Sequence, residues 1–157
     1  MRSNKGFGLI EIVIASSIIS MAVVSLSYVL VLSNRLSSRA SDEIRANFIA
    51  EEGIEAIRFL RDKSWTTDLS VLVPNTDYFV ILDTSTGQWS ISTTEPGLLG
   101  DLFRRTIRVD SVYRDPSFDI VASGGTIDPE TLRITSLVTW QYGTTSLETY
   151  LSNMFNN

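Results

Sequence analysis

The chain contains no cysteine and no histidine. The first absence removes every disulfide, thiolate nucleophile and Cys-ligated metal. The second removes the commonest general base and a common metal ligand, and with them any Ser/His/Asp triad. Proline is scarce: there are four in 157 residues, the first of them Pro74. Helical continuity is therefore free of proline breaks until then. Positive charge is also thin. Thirteen Lys and Arg stand against eighteen Asp and Glu, for a formal net charge of −5. Nucleic-acid binding needs concentrated Lys and Arg, so no such partner is expected. The one close group of positives, Arg104, Arg105 and Arg108, reads as the solvated face of a strand. No cofactor and no catalytic residue is expected, since nothing in the spacing of the carboxylates favours hydrolysis.

What the chain does have is one long apolar run. From residue 7 to residue 32 it is apolar apart from Gly8, Glu11 and several serines. As a helix this run spans roughly 39 Å at 1.5 Å per residue, enough to cross a hydrocarbon core of about 30 Å. Glu11 is the sole charged side chain between Lys5 and Arg35. A carboxylate inside a membrane-length helix is costly and marks a functional position by default. Three readings compete here. A secretory signal peptide would need an apolar core about half as long and a small-residue cleavage site. A plain signal anchor explains the length and flanking charge but leaves Glu11 without a role. The third reading rests on the leader.

Lys5-Gly6-Phe7-Gly8-Leu9-Ile10-Glu11, with the run that follows, resembles the processing signal of type IV prepilins and type II secretion pseudopilins. The resemblance covers about thirty residues. It implies that prepilin peptidase cuts between Gly6 and Phe7 and that the new amine of Phe7 is methylated. Glu11 falls at the fifth mature position, where the family glutamate pairs with the N-terminus of a neighbouring subunit. That reading is physically sensible: the amine and the carboxylate are one helical turn apart, at the positive end of the helix dipole. The alternative is a glutamate that snorkels to the interface. Two departures from the usual pattern stand out. Gly8 occupies a position where a hydroxyl residue or methionine is commoner, and no proline lies in the apolar run. Cleavage would remove Arg2 and Lys5 and take the formal charge to −7.

Ser33-Asn34 marks the expected exit from the membrane. Beyond it the pattern becomes amphipathic. Ala46, Ile49, Ala50, Gly53, Ile54, Ile57 and Leu60 recur at spacings of three and four and form one apolar stripe. Glu51, Glu55, Arg58 and Asp62 take other faces, with Glu55/Arg58 and Arg58/Asp62 as candidate surface pairs. After Trp65 the period becomes two. Strands are expected over 77–83, 88–92, 102–114 (the longest), from 132 to 140, and over 145–151 with Leu147 and Leu151 inward. Residues 115–129 read as a surface loop and 153–157 as a loose tail.

The expected fold class is α+β. One long N-terminal helix, apolar all round in its first half and amphipathic in its second, packs on an antiparallel sheet of about four or five strands. This layout resembles the pilin fold, and its C-terminal half looks more like a minor pilin or minor pseudopilin. The expected organisation is a leader over 1–6, a transmembrane and filament-core segment over 7–32, an amphipathic half over 33–64, and a sheet domain over 65–157. The resemblance implies a structural subunit of a type IV pilus or type II secretion pseudopilus. It implies a single-pass protein of the cytoplasmic membrane with its sheet domain outside, later moved into a filament. The implied partners are prepilin peptidase, other pilins or pseudopilins, and the assembly-platform membrane protein. The rival is a signal-anchored binding module or adhesin without a filament role.

Some residues tempt a sharper reading. Asp115, Asp119, Asp128 and Glu130 could suggest calcium, but the spacing matches no EF-hand and reads as a solvated loop. Trp65, Trp89 and Trp140 read as packing residues. Gly124-Gly125 lacks a strand-to-helix context and reads as a turn.

Overall fold

The computed structural model describes residues 8–155. Contacts divide the chain into two compact units, Met1–Ser41 and Asp42–Asn157. One helix, α1 (Leu9–Lys63), supplies all the regular structure among the described residues of the first unit and opens the second. Among the described residues the first unit is helix from Leu9 onward. Every described residue in it is exposed.

In the second unit α1 lies on one face of a sheet. Its buried residues are Ala46, Ala50, Gly53, Ile54, Ala56, Ile57 and Leu60. The stripe read from the sequence is therefore correct in outline. Ile49 is only half-buried, and Ala56, which the stripe omitted, is fully covered. Glu55 and Arg58 pair at 2.6 Å as their spacing suggests, while Asp62 meets Arg61 at 2.7 Å. The helix stops at Ser64, whose backbone is extended at φ −166°. Its hydroxyl accepts from the Thr67 N–H and starts a five-residue π-helical turn, Trp65–Leu69. That turn buries Trp65 and Leu69, so two-residue periodicity begins only at Thr76.

Six strands follow: β1 (Thr76–Asp83), β2 (Gln88–Ser92), β3 (Arg104–Arg114), β4 (Ile120–Val121), β5 (Thr126–Trp140) and β6 (Gly143–Ser152). The sheet order is β2-β1-β3-β5-β6, all antiparallel, with the two-residue β4 paired to β3. The architecture is the expected α+β pilin-like layout of a long helix on an antiparallel sheet. It has one strand more than the upper expectation, because 115–129 is not wholly a loop. It contains β4 and the start of β5, which makes β5 rather than β3 the longest strand. The cause lies at Pro129. Ser111 pairs with Leu132 but Val112 pairs with Asp128, so Pro129, Glu130 and Thr131 bulge out of the ladder. A proline cannot donate to a ladder, and a bulge accommodates it.

Three further corrections concern side chains. Leu147 was expected inward like Leu151. It shares that face, but it is 40% exposed where Leu151 is 3% exposed. β6 is the edge strand, and cover runs out along it. Arg105 was expected on a solvated face with Arg104 and Arg108. It points inward instead and is almost fully buried. Asn153, expected in a loose tail, is tied to Glu130 by two hydrogen bonds, of 2.9 Å from its N–H and 2.7 Å from its side chain.

The core sits between α1 and the inner sheet face. Ile54, Ile57, Leu60, Trp65, Leu69, Ile107, Val109 and Ile134 form its larger part. A smaller cluster joins Ala46, Ala50, Phe103 and Val138. Arg45 places its guanidinium 5.3 Å from the Phe103 ring centroid, within cation–π range. Helix and sheet come closest at Gly53. A Cβ there would lie 2.5 Å from Ser136 Oγ, 2.9 Å from Arg105 Cδ and 3.1 Å from Ile107 Cδ1. Ser136 is fully buried and its hydroxyl has no hydrogen-bond partner. Gly53 is thus required by proximity rather than by backbone angle. Gly53→Ala should destabilise the second unit by about 1–3 kcal/mol through overpacking, despite alanine's better helix propensity. Ser136→Ala alone should be neutral or mildly stabilising, because it removes an unpaired buried hydroxyl. Combined with Gly53→Ala it should recover part of the loss. Urea melts followed by tryptophan fluorescence would measure both; additive losses would refute this contact.

The β1–β2 hairpin turns on Asp83. Its carboxylate accepts from Ser85 N–H at 2.8 Å, Ser85 Oγ at 2.6 Å and Thr86 Oγ1 at 2.9 Å. The Ser85 hydroxyl, then the Ser85 amide, then the Thr86 hydroxyl lower its pKa from 3.8 to about 2. A carboxyl depressed in the folded state stabilises the fold above its unfolded pKa and loses that effect as pH falls through the folded value. The hairpin should therefore hold at pH 4 and loosen toward pH 2. In a carboxyl NMR titration Asp83 should show its midpoint near 2, and Ser85→Ala with Thr86→Val should move it toward 3.8.

Candidate functional site

The first unit presents an apolar cylinder with a single carboxylate near its start. Leu9, Ile10, Ile12, Val13, Ile14, Ile18 and Ile19 are all exposed, and the pattern persists through Leu32. By length and composition this helix can cross a membrane. Four of its serines do not spoil the apolar surface. Ser16 and Ser17 both donate to Val13 O, Ser25 to Met21 O and Ser27 to Val23 O, at 2.8–2.9 Å. Hydroxyls bonded to their own helix carry little polarity outward.

Glu11 has a local role that its sequence position alone did not reveal. Gly8 precedes the first helical residue and Glu11 is the third. The carboxylate Oε2 accepts the Gly8 N–H at 2.9 Å. This is the reciprocal half of a capping box, in which a glutamate at the third position satisfies the N-terminal amide. The sequence signal is a glutamate three residues after a glycine that opens an apolar run, and it becomes a cap only because the helix begins at Leu9. Acid in the first turn also complements the helix dipole. Gly6 and Phe7, the expected cleavage and methylation residues, lie outside the described residues.

The other candidates do not assemble a catalytic centre. In the loop after β3, Asp115 Oδ1 accepts from the Ser117 and Asp119 N–H groups. Asp128 is engaged by Arg114 Nε at 2.6 Å. Burial alone would raise the Asp128 carboxyl, but bonds from Arg114, Thr131 and the Glu130 amide hold it below the usual range. Arg114 also donates to Phe118 O and to Thr131. A shallow cavity of about 670 Å³ lies against this loop, lined by Phe118, Ile127 and Pro129 among others. Arg114 and Asp128 are spent on each other, and Asp115 on backbone amides. Among the described residues no group of three or more acidic side chains is placed to hold a metal ion. Gly124 takes φ +79° in a turn, as expected. Trp65 is core, while Trp89 and Trp140 pack half-buried against it, Trp140 6.0 Å from Phe103.

Arg105 is the residue that sequence reasoning placed wrongly. Its side chain reaches Glu52 at 3.3 Å, donates to Ile49 O at 3.1 Å and Val80 O at 3.4 Å, and lies 5.6 Å from the Trp89 ring centroid. Burial lowers its pKa, and Glu52 partly opposes that. It joins the helix backbone to β1 from below, a structural task.

A model of the prokaryotic N-terminal methylation motif matches residues 1–27. The match supports the type IV pilin and pseudopilin family. No curated protein and no solved structure matches the chain. The motif implies processing by prepilin peptidase and assembly with other pilins. It also fits the apolar helix of a membrane-anchored protein, and it suggests a structural subunit rather than an enzyme.

Removal of the Glu11 cap should affect the helix start alone. In Glu11→Ala, amide exchange at Gly8 and the first helical turn should quicken by a few-fold, in line with the ~0.5–2 kcal/mol of a lost cap. The melting of the second unit should not change. Protection of the first turn equal to wild type, measured by hydrogen exchange in nanodiscs, would remove the capping role.

Proposed function

We propose that this chain is a minor pilin or pseudopilin, a structural subunit of a type IV pilus or type II secretion pseudopilus. Residues 1–6 serve as the leader, 7–32 as the membrane and filament-core segment, 33–64 as the amphipathic half and 65–157 as the external sheet domain. Prepilin peptidase cuts between Gly6 and Phe7, and the Phe7 amine is methylated. The subunit waits in the cytoplasmic membrane with its sheet domain outside, and an assembly-platform protein helps to move it into the filament. The observation that carries this reading is the lone carboxylate of Glu11. It stands at the third position of α1, whose apolar first half is exposed throughout, within the methylation motif.

The chemistry follows from desolvation. In lipid the apolar helix needs no protein partner. Once the leader is gone, a cationic amine stands at Phe7, four residues before Glu11. Burying either charge unpaired is costly, and pairing the amine of one subunit with Glu11 of its neighbour offsets both while fixing axial register. The first turn then exchanges an internal cap for an intermolecular ion pair. The function is mechanical: priming, extending or ending a filament.

Intact mass and N-terminal sequence test this reading, with and without a co-expressed prepilin peptidase. The expected product, seen only with the peptidase, begins at methylated Phe7 and lacks residues 1–6. Replacing Gly6 with a bulky residue should abolish it. Glu11→Ala should be cleaved normally but enter filaments at least tenfold less well, on the scale of a lost charge pair. A full-length chain in every condition would favour the anchored binding module.

A further inference from the structure

Both edges of the sheet are open, and they differ in how they are protected. Among the described residues β2 pairs with β1 alone and β6 with β5 alone. β6 pairs with β5 in unbroken register over ten residues, from Gly143 to Ser152. It contains no proline, lysine or arginine, and Glu148 is its one charge. β2 carries no charge at all. Folded proteins commonly guard long edges with lysine, proline or a bulge, and an unguarded edge is a template for another strand.

We propose that β6 of one subunit pairs in parallel with β2 of a second copy of the chain, continuing the sheet between subunits. The proposal rests on the filament reading above and names a contact between its subunits. Three observations choose this occupant. The first is direction. Four antiparallel steps separate β2 from β6, so the two edges run the same way. Joining them leaves every copy in one orientation, as copies anchored alike in one membrane must be. A β6–β6 or β2–β2 pairing needs a two-fold axis, which either reverses the strands of the partner or turns its helix to the opposite face of the sheet. The second is the core face. Leu147 lies on it yet is 40% exposed, while Trp89 and Ile91 on β2 are only partly covered. Parallel pairing brings Leu147 beside Trp89 and Ile91 of the next copy, on the same side of the sheet. The third is charge: a seam with only Glu148 brings no like charges face to face. The contact is heterologous, so it propagates rather than closing into a dimer.

The absence of native cysteine makes the test clean. Ser90 on β2 and Thr144 and Ser146 on β6 share the outer sheet face, as the registers with β1 and β5 require. Full-length chains carrying Ser90→Cys under one tag would be co-expressed with chains carrying Thr144→Cys or Ser146→Cys under another, and oxidised in the membrane. A mixed disulfide with Ser90→Cys is expected from at least one β6 variant. Leu147→Lys should cut its yield about tenfold by placing a charge on the edge, with thermal melting unchanged. A Ser146→Cys homodimer in place of the mixed product overturns the proposal. So does a mixed yield no greater than that of Ser123→Cys in the exposed β4–β5 loop. The N-terminal mass of the same samples shows whether Phe7 has been released, so loss of the filament reading and loss of this contact are read separately.

Discussion

The constraint on which the rest depends is solvation of the first half of α1. From residue 9 to residue 32 every position is exposed and most side chains are apolar, and the described chain offers nothing to cover them. Water cannot accept such a surface, since each fully exposed Leu or Ile forgoes about 1.5–3 kcal/mol of burial. The helix must therefore sit in lipid or among other helices. A backbone fully bonded within one helix suits both settings. The sheet unit has its own core and does not call on this segment to stabilise it.

That separation explains how the second unit is built. Its helix face uses small residues, Ala46, Ala50, Gly53 and Ala56, where the sheet comes near. The larger Ile54, Ile57 and Leu60 fill the space to either side. The close approach at Gly53 lets Arg105 reach a helix carbonyl from the sheet and still meet Glu52 at the rim. A buried guanidinium with two carbonyls and one carboxylate trades desolvation for geometry. It fixes the helix over one strand position rather than adding much stability.

Much of this was legible in the sequence, and the misses have physical causes. The helix, its change from all-round apolar to one-sided, and the 88–92 strand follow from periodicity, as does the strand expected over 102–114, which begins two residues later at Arg104. Arg105 shares the face of Phe103, Ile107 and Val109 by alternation, so parity and not charge decides where it points. Ser136 shares parity with Ile134 and Val138 in the same way. The start of β5 was hidden by Pro129, because a bulge that accommodates proline looks like a loop when only composition is read. Glu11 was recognised as exceptional, but its bond to Gly8 depends on where the helix begins. The exposure of Leu147 depends on its strand being last in the sheet, a fact of topology that local pattern does not carry.

The serine hydroxyls of the apolar segment have a consequence for transfer between environments. Ser16, Ser17, Ser25 and Ser27 are already satisfied by carbonyls of their own helix. Moving the segment from hydrocarbon to a protein interior leaves that inventory of hydrogen bonds unaltered. None of these four donors has to find a new acceptor on arrival, and none is stranded on departure. The segment is polar in composition at these four positions yet indifferent to the polarity of its surroundings. The free energy of relocation then reduces to how well the side chains fit their neighbours, together with the fate of one carboxylate and of the Ser20 and Tyr28 hydroxyls.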